Sequence, residues 1–157
     1  MDLQIIRTRH PPAAYLEQLA TLLPSGTGNV TIDDLRRRLE LLPGEDRLFL
    51  ALDGEFLIGY AHLRIAHDLA SEDTVELLAI SVSPERRRQG VGRHLMTAAE
   101  TWASQAERAR LVVHANVVRS EALAFFSSLG YLESGTSQEY IRDLDAARRS
   151  EAPTQPQ

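Results

Sequence analysis

Cysteine is missing from the 157 residues, which excludes disulfides, thiolate metal sites and a covalent acyl-cysteine intermediate formed by the chain itself. Lysine is missing too: all 17 basic residues are arginine, so no lysine side chain of its own is open to acetylation. No apolar run approaches the roughly 20 residues needed to span a bilayer, and no membrane segment is expected. The opening MDLQIIRTRH has no apolar stretch ahead of a small-residue cleavage site, so a cytoplasmic protein is expected. No two of the 5 histidines have a metal-ligand spacing, and no metal site is expected. Basic excess is lacking as well. The net charge of -5 argues against a nucleic-acid partner and suits a cationic small substrate.

What is present fits one folded domain, with 43% apolar and 25% charged residues. Residues 1–145 are read as that domain, and 146–157 as a polar, frayed tail with two prolines and no periodicity. Leu3 to Arg7 is a short strand candidate. Leu16, Leu19 and Leu23 recur at helical spacing, and a loop rich in Gly, Ser and Thr follows. Thr31, with Asp34 three residues on, marks the N-cap of a second helix that carries Ile32, Leu35, Leu39 and Leu42 on one stripe. Arg36, Arg37 and Arg38 fall off that stripe and read as a solvated face. Asp53-Gly54 separates two apolar runs, Arg47 to Leu52 and Phe56 to Ala66, and predicts a tight antiparallel hairpin.

Thr74 to Val82 is apolar on both pleat faces except at Glu76, the pattern of a central strand covered on each side. Val91, Leu95, Ala98, Ala99 and Trp102 then form a helical face. Leu111 to Ala115 is a further strand, and Ala122, Phe125, Phe126 and Leu129 form a stripe closed by Gly130. Tyr131 to Leu132 and Glu139 to Ile141 are candidates for a final pair of strands.

The strand-to-helix junction Ser81-Val82-Ser83-Pro84-Glu85-Arg86-Arg87-Arg88-Gln89-Gly90-Val91-Gly92 carries the chemistry. Glycines there let a ligand approach the backbone. The first amides of a helix lack internal acceptors and sit at the positive end of its dipole, so Arg88 to Arg93 can present a fan of N–H groups to a phosphate. Neighbouring arginines add charge-assisted contacts. Two other phosphate motifs are excluded: there is no G-x-x-x-x-G-K-[ST] run, and Gly90-Val91-Gly92 lacks the third glycine of the dinucleotide fingerprint.

Arg87-x-x-Gly90-x-Gly92, preceded by Ile80-x-Val82-x-Pro84, resembles the acetyl-CoA motif of the GNAT superfamily of N-acetyltransferases. The likeness extends from Phe49 to about Tyr131, where the elements follow that family's order. It implies an α/β (α+β) GNAT fold: a mixed, mostly antiparallel sheet of six to seven strands, splayed between the fourth and fifth, with about four helices. It also implies a cofactor site. Ile80, Ser81 and Val82 would pair with the pantetheine arm, the N–H of Ile80 would polarise the acetyl carbonyl, and Arg87, Arg88, Gln89, Gly90, Val91, Gly92 and Arg93 would bind the pyrophosphate. The co-substrate implied is acetyl-CoA and its partner an amine. A homodimer through terminal strands is compatible with the resemblance.

Direct attack of a neutral amine on the thioester needs a proton acceptor, because alkyl amines are largely protonated at pH 7. Glu76 is the catalytic candidate: it is the lone carboxylate of its strand and lies where some GNAT enzymes carry a glutamate. Burial would raise its pKa toward a useful range. The competing reading is a cross-strand ion pair with Arg64. The family's Asn-x-x-Ala-x-x-x-Tyr pattern is broken here, with Arg119 in the asparagine place and Phe126 in the tyrosine place. Both remain cofactor-contact candidates by position, Asn116 can take over the amide role, and a water proton, Tyr131, Ser127 or Tyr140 would serve the leaving thiolate. A small primary amine is the expected acceptor. Acetylation of protein or peptide N-termini and acyl-CoA binding without catalysis are the alternatives.

Overall fold

A computed structural model describes residues 1–23, 30–108, 110–114, 120–134, 140, 142 and 144. Arg119, Asn116, the loops 24–29 and 135–138, and the tail 146–157 lie outside these.

Five strands form one sheet in the order β1 (Leu3–Thr8), β2 (Arg47–Asp53), β3 (Phe56–Ala66), β4 (Thr74–Val82) and β5 (Leu111–Val113). The first four are antiparallel neighbours, while β5 runs parallel to β4. Four α-helices accompany them: α1 (Leu16–Leu22), α2 (Ile32–Glu40), α3 (Val91–Gln105) and α4 (Ser120–Ser128). The expected count of six to seven strands is not matched among the described residues. Tyr131 and Leu132 carry no strand ladder, and Glu139 and Ile141 lie outside the description. Two apolar residues with no periodic continuation cannot anchor a register.

Two cores sandwich the sheet. On one face Phe49, Ala61, Leu63, Val75 and Leu77 pack beneath Val91, Leu95, Met96 and Ala99 of α3 and Phe126 of α4. On the other, Leu48, Leu50, Leu52, Leu57 and Tyr60 meet Leu16, Leu19 and Leu22 of α1 and Leu35 of α2. Helix α2 starts as its sequence predicts, with the Asp34 amide donating to Thr31 Oγ1 at 3.0 Å, and its three consecutive arginines are exposed. Gly54 opens the two-residue hairpin loop with φ 60°, the place that type II′ turns favour for glycine. At the end of α4, Gly130 (φ 91°) sits between two bonds, Gly130 N–H to Ser127 O and Tyr131 N–H to Phe126 O. This is a Schellman closure, and its accompanying apolar contact is the Phe126–Tyr131 ring pair.

Strand β4 departs from the sequence reading in two ways. Leu78 has no partner in the β3 register, so it is a bulge between the His62–Ala79 and Leu63–Leu77 pairs. Strict alternation would send Ile80 and Val82 to the face opposite Val75 and Leu77; the extra residue reverses the parity, and all four meet the α3 core. Coverage is also one-sided. Only Val75 and Leu77 of this strand are buried, because α1 and α2 pack over β2 and β3 and leave Glu76 partly open.

Candidate active site

Strand β5 pairs with β4 only from Val75 to Leu77, so among the described residues the β4 edge from Ala79 to Val82 runs on without a neighbour on that side. The chain then passes through a short 3-10 turn, Pro84–Arg86, into α3. Arg86 is held away from the loop's outer surface: its Nη1 donates to Asp53 Oδ2 at 2.6 Å, and this contact keeps the Asp53 carboxyl below the usual range. Arg87, Arg88, Gln89 and Gly90 are exposed.

The backbone of this loop is unusual. Arg88 has φ 65° although it is not glycine, and Gly90, the residue preceding α3, has φ 83°. Left-handed backbone at both positions turns the chain sharply, and the left-handed conformation of Arg88 costs about 1 kcal/mol or more. The first bond into α3 is that from the His94 amide to Gly90 O at 3.0 Å, so the amides of Val91, Gly92 and Arg93 precede the helical ladder. His94 Nδ1–H donates to the same carbonyl at 2.7 Å, a contact with no sequence signal. These amides, the exposed guanidinium groups of Arg87 and Arg88, and the dipole of a 15-residue helix suit a diphosphate.

Two glycines have packing duties the sequence did not announce. A Cβ on Gly92 would lie 3.2 Å from the ring of Phe125, so this glycine brings α4 against α3. One on Gly59 would lie 3.1 Å from Ser81 O and 3.2 and 3.3 Å from Val91 Cγ1 and Leu95 Cδ1; this seats the first turns of α3 on β3.

On the open face of the sheet, Glu76 faces Arg64 across the β3–β4 register and Val112 on β5. Its side chain is 28% exposed, so the deep burial expected for a central strand is absent. Nor does Glu76 form the anticipated ion pair with Arg64. Arg64 Nε and Nη2 donate instead to the carboxylate of Asp46, at 3.0 and 2.9 Å, and His62 Nε2–H donates to the same group at 2.8 Å. Asp46 is 1% exposed. Burial works to raise its pKa, but the bonds from Arg64 and His62 outweigh it and hold the carboxyl below its ordinary value. Beside Glu76 Oε1 stands His114 Nε2, at 3.5 Å. Asp46 was invisible in sequence, being a loop acid 16 and 18 residues from its partners.

Phe126 is 5% exposed and stands edge-on to Phe125 and Tyr131 within the core under α3. Tyr131, weighed as a substitute acid, donates to Glu100 Oε2 at 2.6 Å; burial and this bond push its phenol well above its ordinary pKa. That makes it a poor proton donor. Ser127 and Tyr140 are exposed. Among the described residues no group of three or more His, Asp or Glu side chains can hold a metal ion, and no helix is long and apolar enough to cross a membrane.

Among the described residues, a β4 edge that outruns its parallel partner and a helix start with amides outside the ladder form the junction that resembles an acetyl-CoA motif. Residues 13–131 match the acetyltransferase (GNAT) family, and the chain belongs to that family. A mycothiol acetyltransferase of Rhodococcus erythropolis is 32% identical over 143 residues, 89% of this chain and 45% of the relative. A probable N-acetyltransferase 14 of Xenopus tropicalis is 32% identical over 93 residues, 59% of this chain and 44% of the relative. The chain thus spans less than half the length of these curated relatives. Its fold matches that of AAC(6′)-Iy, solved with a bisubstrate analogue, CoA-S-monomethyl-acetylneamine; the TM-score is 0.74 at 22% identity, covering 91% of this chain and 99% of that one.

Proposed function

We propose that this chain transfers an acetyl group from acetyl-CoA directly to a primary amine on a small molecule, within a ternary complex. The observation that carries this reading is the junction itself: a β4 edge with no neighbour past Leu77 among the described residues leads into the amides of Val91, Gly92 and Arg93, which precede the α3 ladder. Ile80, Ser81 and Val82 supply strand-like backbone partners for the pantetheine arm. Arg87, Arg88 and Gln89, with the amides of Gly90, Val91, Gly92 and Arg93, hold the diphosphate. The thioester supplies the electrophile, and the Ile80 amide polarises the acetyl carbonyl.

Glu76 acts as the proton acceptor for the incoming ammonium. Its carboxylate is accessible and has no bond to Arg64, while His114 beside it leads outward to solvent with a side chain 42% exposed. The leaving thiolate takes its proton from water, which suits a Phe126 buried in the core and a Tyr131 hydroxyl tied to Glu100. Support for a small acceptor comes from similar proteins named for mycothiol and for an aminoglycoside. Arg119 is retained as a cofactor contact by position alone.

The test is thiol release from acetyl-CoA across a panel of small amines and peptides, with products identified by intact mass. Acetylated small amines are expected; turnover of peptides alone assigns the chain to protein acetylation, and coenzyme binding without turnover makes it a non-catalytic acyl-CoA module. Glu76→Gln should lower kcat by about 10²–10⁴-fold and flatten the rise of rate with pH. Unchanged kinetics remove Glu76 from the mechanism.

A further inference from the structure

The cluster around Asp46 explains why Glu76 is free to act. Residues directly opposite in an antiparallel pair have Cβ atoms about 4.5–5.5 Å apart, within easy reach for a Glu–Arg ion pair. Arg64 and Glu76 are such a pair, yet no bond joins them. A stronger competitor holds the guanidinium. Asp46 is almost fully buried and takes both the Nε and Nη2 edges of Arg64, the two-point geometry that makes Arg–carboxylate contacts strong, and His62 completes its shell from the same strand. Uncompensated burial of that carboxylate would be costly, so the preference for Asp46 over the partly exposed Glu76 is large.

We infer that Asp46 is a positioning residue for catalysis: by fixing Arg64 against itself, it keeps the guanidinium off Glu76 and leaves that carboxylate available to the substrate ammonium. The inference rests on Glu76 being the base. It assigns no contact with substrate to Asp46 or Arg64. Among the described residues, the charged and titratable groups on this face near Glu76 are Arg64, Asp46 and His62 from the β2–β3 side and His114 from the β5 side. Removing the Asp46 charge releases Arg64 to swing onto Glu76.

A double-mutant cycle on full-length protein tests this, with kcat measured per folded molecule and acetyl-CoA affinity measured for every variant. Asp46→Asn is expected to lower kcat at least about tenfold while acetyl-CoA affinity holds, a loss smaller than that of removing the base itself. In a Glu76→Gln background the same change is expected to do nothing further, and Asp46→Asn/Arg64→Met is expected to recover most of the parent kcat. The double variant leaves no unpaired buried charge, so it keeps the test open where Asp46→Asn alone fails to fold. Losses that add independently in the Glu76→Gln background, or a double variant as impaired as Asp46→Asn, overturn the positioning role and leave Glu76 as base untouched. An unchanged kcat for Glu76→Gln overturns the base assignment instead, and the inference with it.

Discussion

Gly59→Ala tests whether the seat of α3 on the sheet controls coenzyme binding. The new methyl would stand 3.1 Å from the backbone oxygen of Ser81, 3.2 Å from Val91 Cγ1 and 3.3 Å from Leu95 Cδ1. All three are tighter than ordinary van der Waals separation, and one is strand backbone that cannot rotate away. Residue 59 is outside the positive-φ region, so alanine itself brings no dihedral strain and the whole effect comes from crowding. Inserting a methyl into such a site costs about 1–3 kcal/mol. At roughly 2–4 °C per kcal/mol for a chain of this size, the melting temperature should fall by roughly 2–12 °C. Relief comes most easily by displacing the first turn of α3, the same turn whose amides are proposed to hold the diphosphate. Acetyl-CoA affinity should therefore fall along with stability. Scanning calorimetry and a binding titration read both quantities. A variant that melts with the parent and binds acetyl-CoA equally well would refute the argument that this contact fixes the phosphate-binding turn.

Two further outcomes follow from the structure. Thr31→Ala removes the oxygen that accepts the Asp34 amide and should destabilise the protein by about 0.5–2 kcal/mol in urea unfolding; no change would mean the cap is replaced by water. His67 lies 2.6 Å from Glu45 and 2.9 Å from Asp73, and its bonds to these two acids raise its pKa. A raised native pKa stabilises the fold fully below the unfolded value of about 6.5 and loses that contribution as pH climbs through the native value. The stability advantage of the parent over His67→Gln should shrink as pH rises above about 6.5, and an advantage independent of pH contradicts the pairing.

Much of this architecture is written locally in the chain. Two apolar runs, Arg47 to Leu52 and Phe56 to Ala66, with Asp53-Gly54 between them give the hairpin, Thr31 and Gly130 mark helix ends, and the glycines after Pro84 mark where strand gives way to helix. Those signals survive because each depends on a residue's own dihedral preference or on its near neighbours. What escaped was set by partners distant in sequence. The Leu78 bulge exists only in the register against β3, and without it the faces of β4 are misassigned past residue 77. Asp46 gains meaning from His62 and Arg64, and Gly92 from Phe125, contacts that no window of sequence contains. Of the expected terminal strand pair, Tyr131 and Leu132 carry no ladder among the described residues, and Glu139 and Ile141 lie outside them.

The central claim, that amides opening α3 hold the diphosphate of acetyl-CoA, is tested most directly by calorimetric titration with acetyl-CoA beside S-acetyl-pantetheine, which has the thioester and arm but no diphosphate. Loss of two or more charge-assisted hydrogen bonds, each about 1.5–3 kcal/mol, should weaken the truncated compound by more than about a hundredfold. Saturable heat with acetyl-CoA and little with the truncated compound is the predicted result; equal affinity for the two, or no heat with acetyl-CoA, contradicts the account.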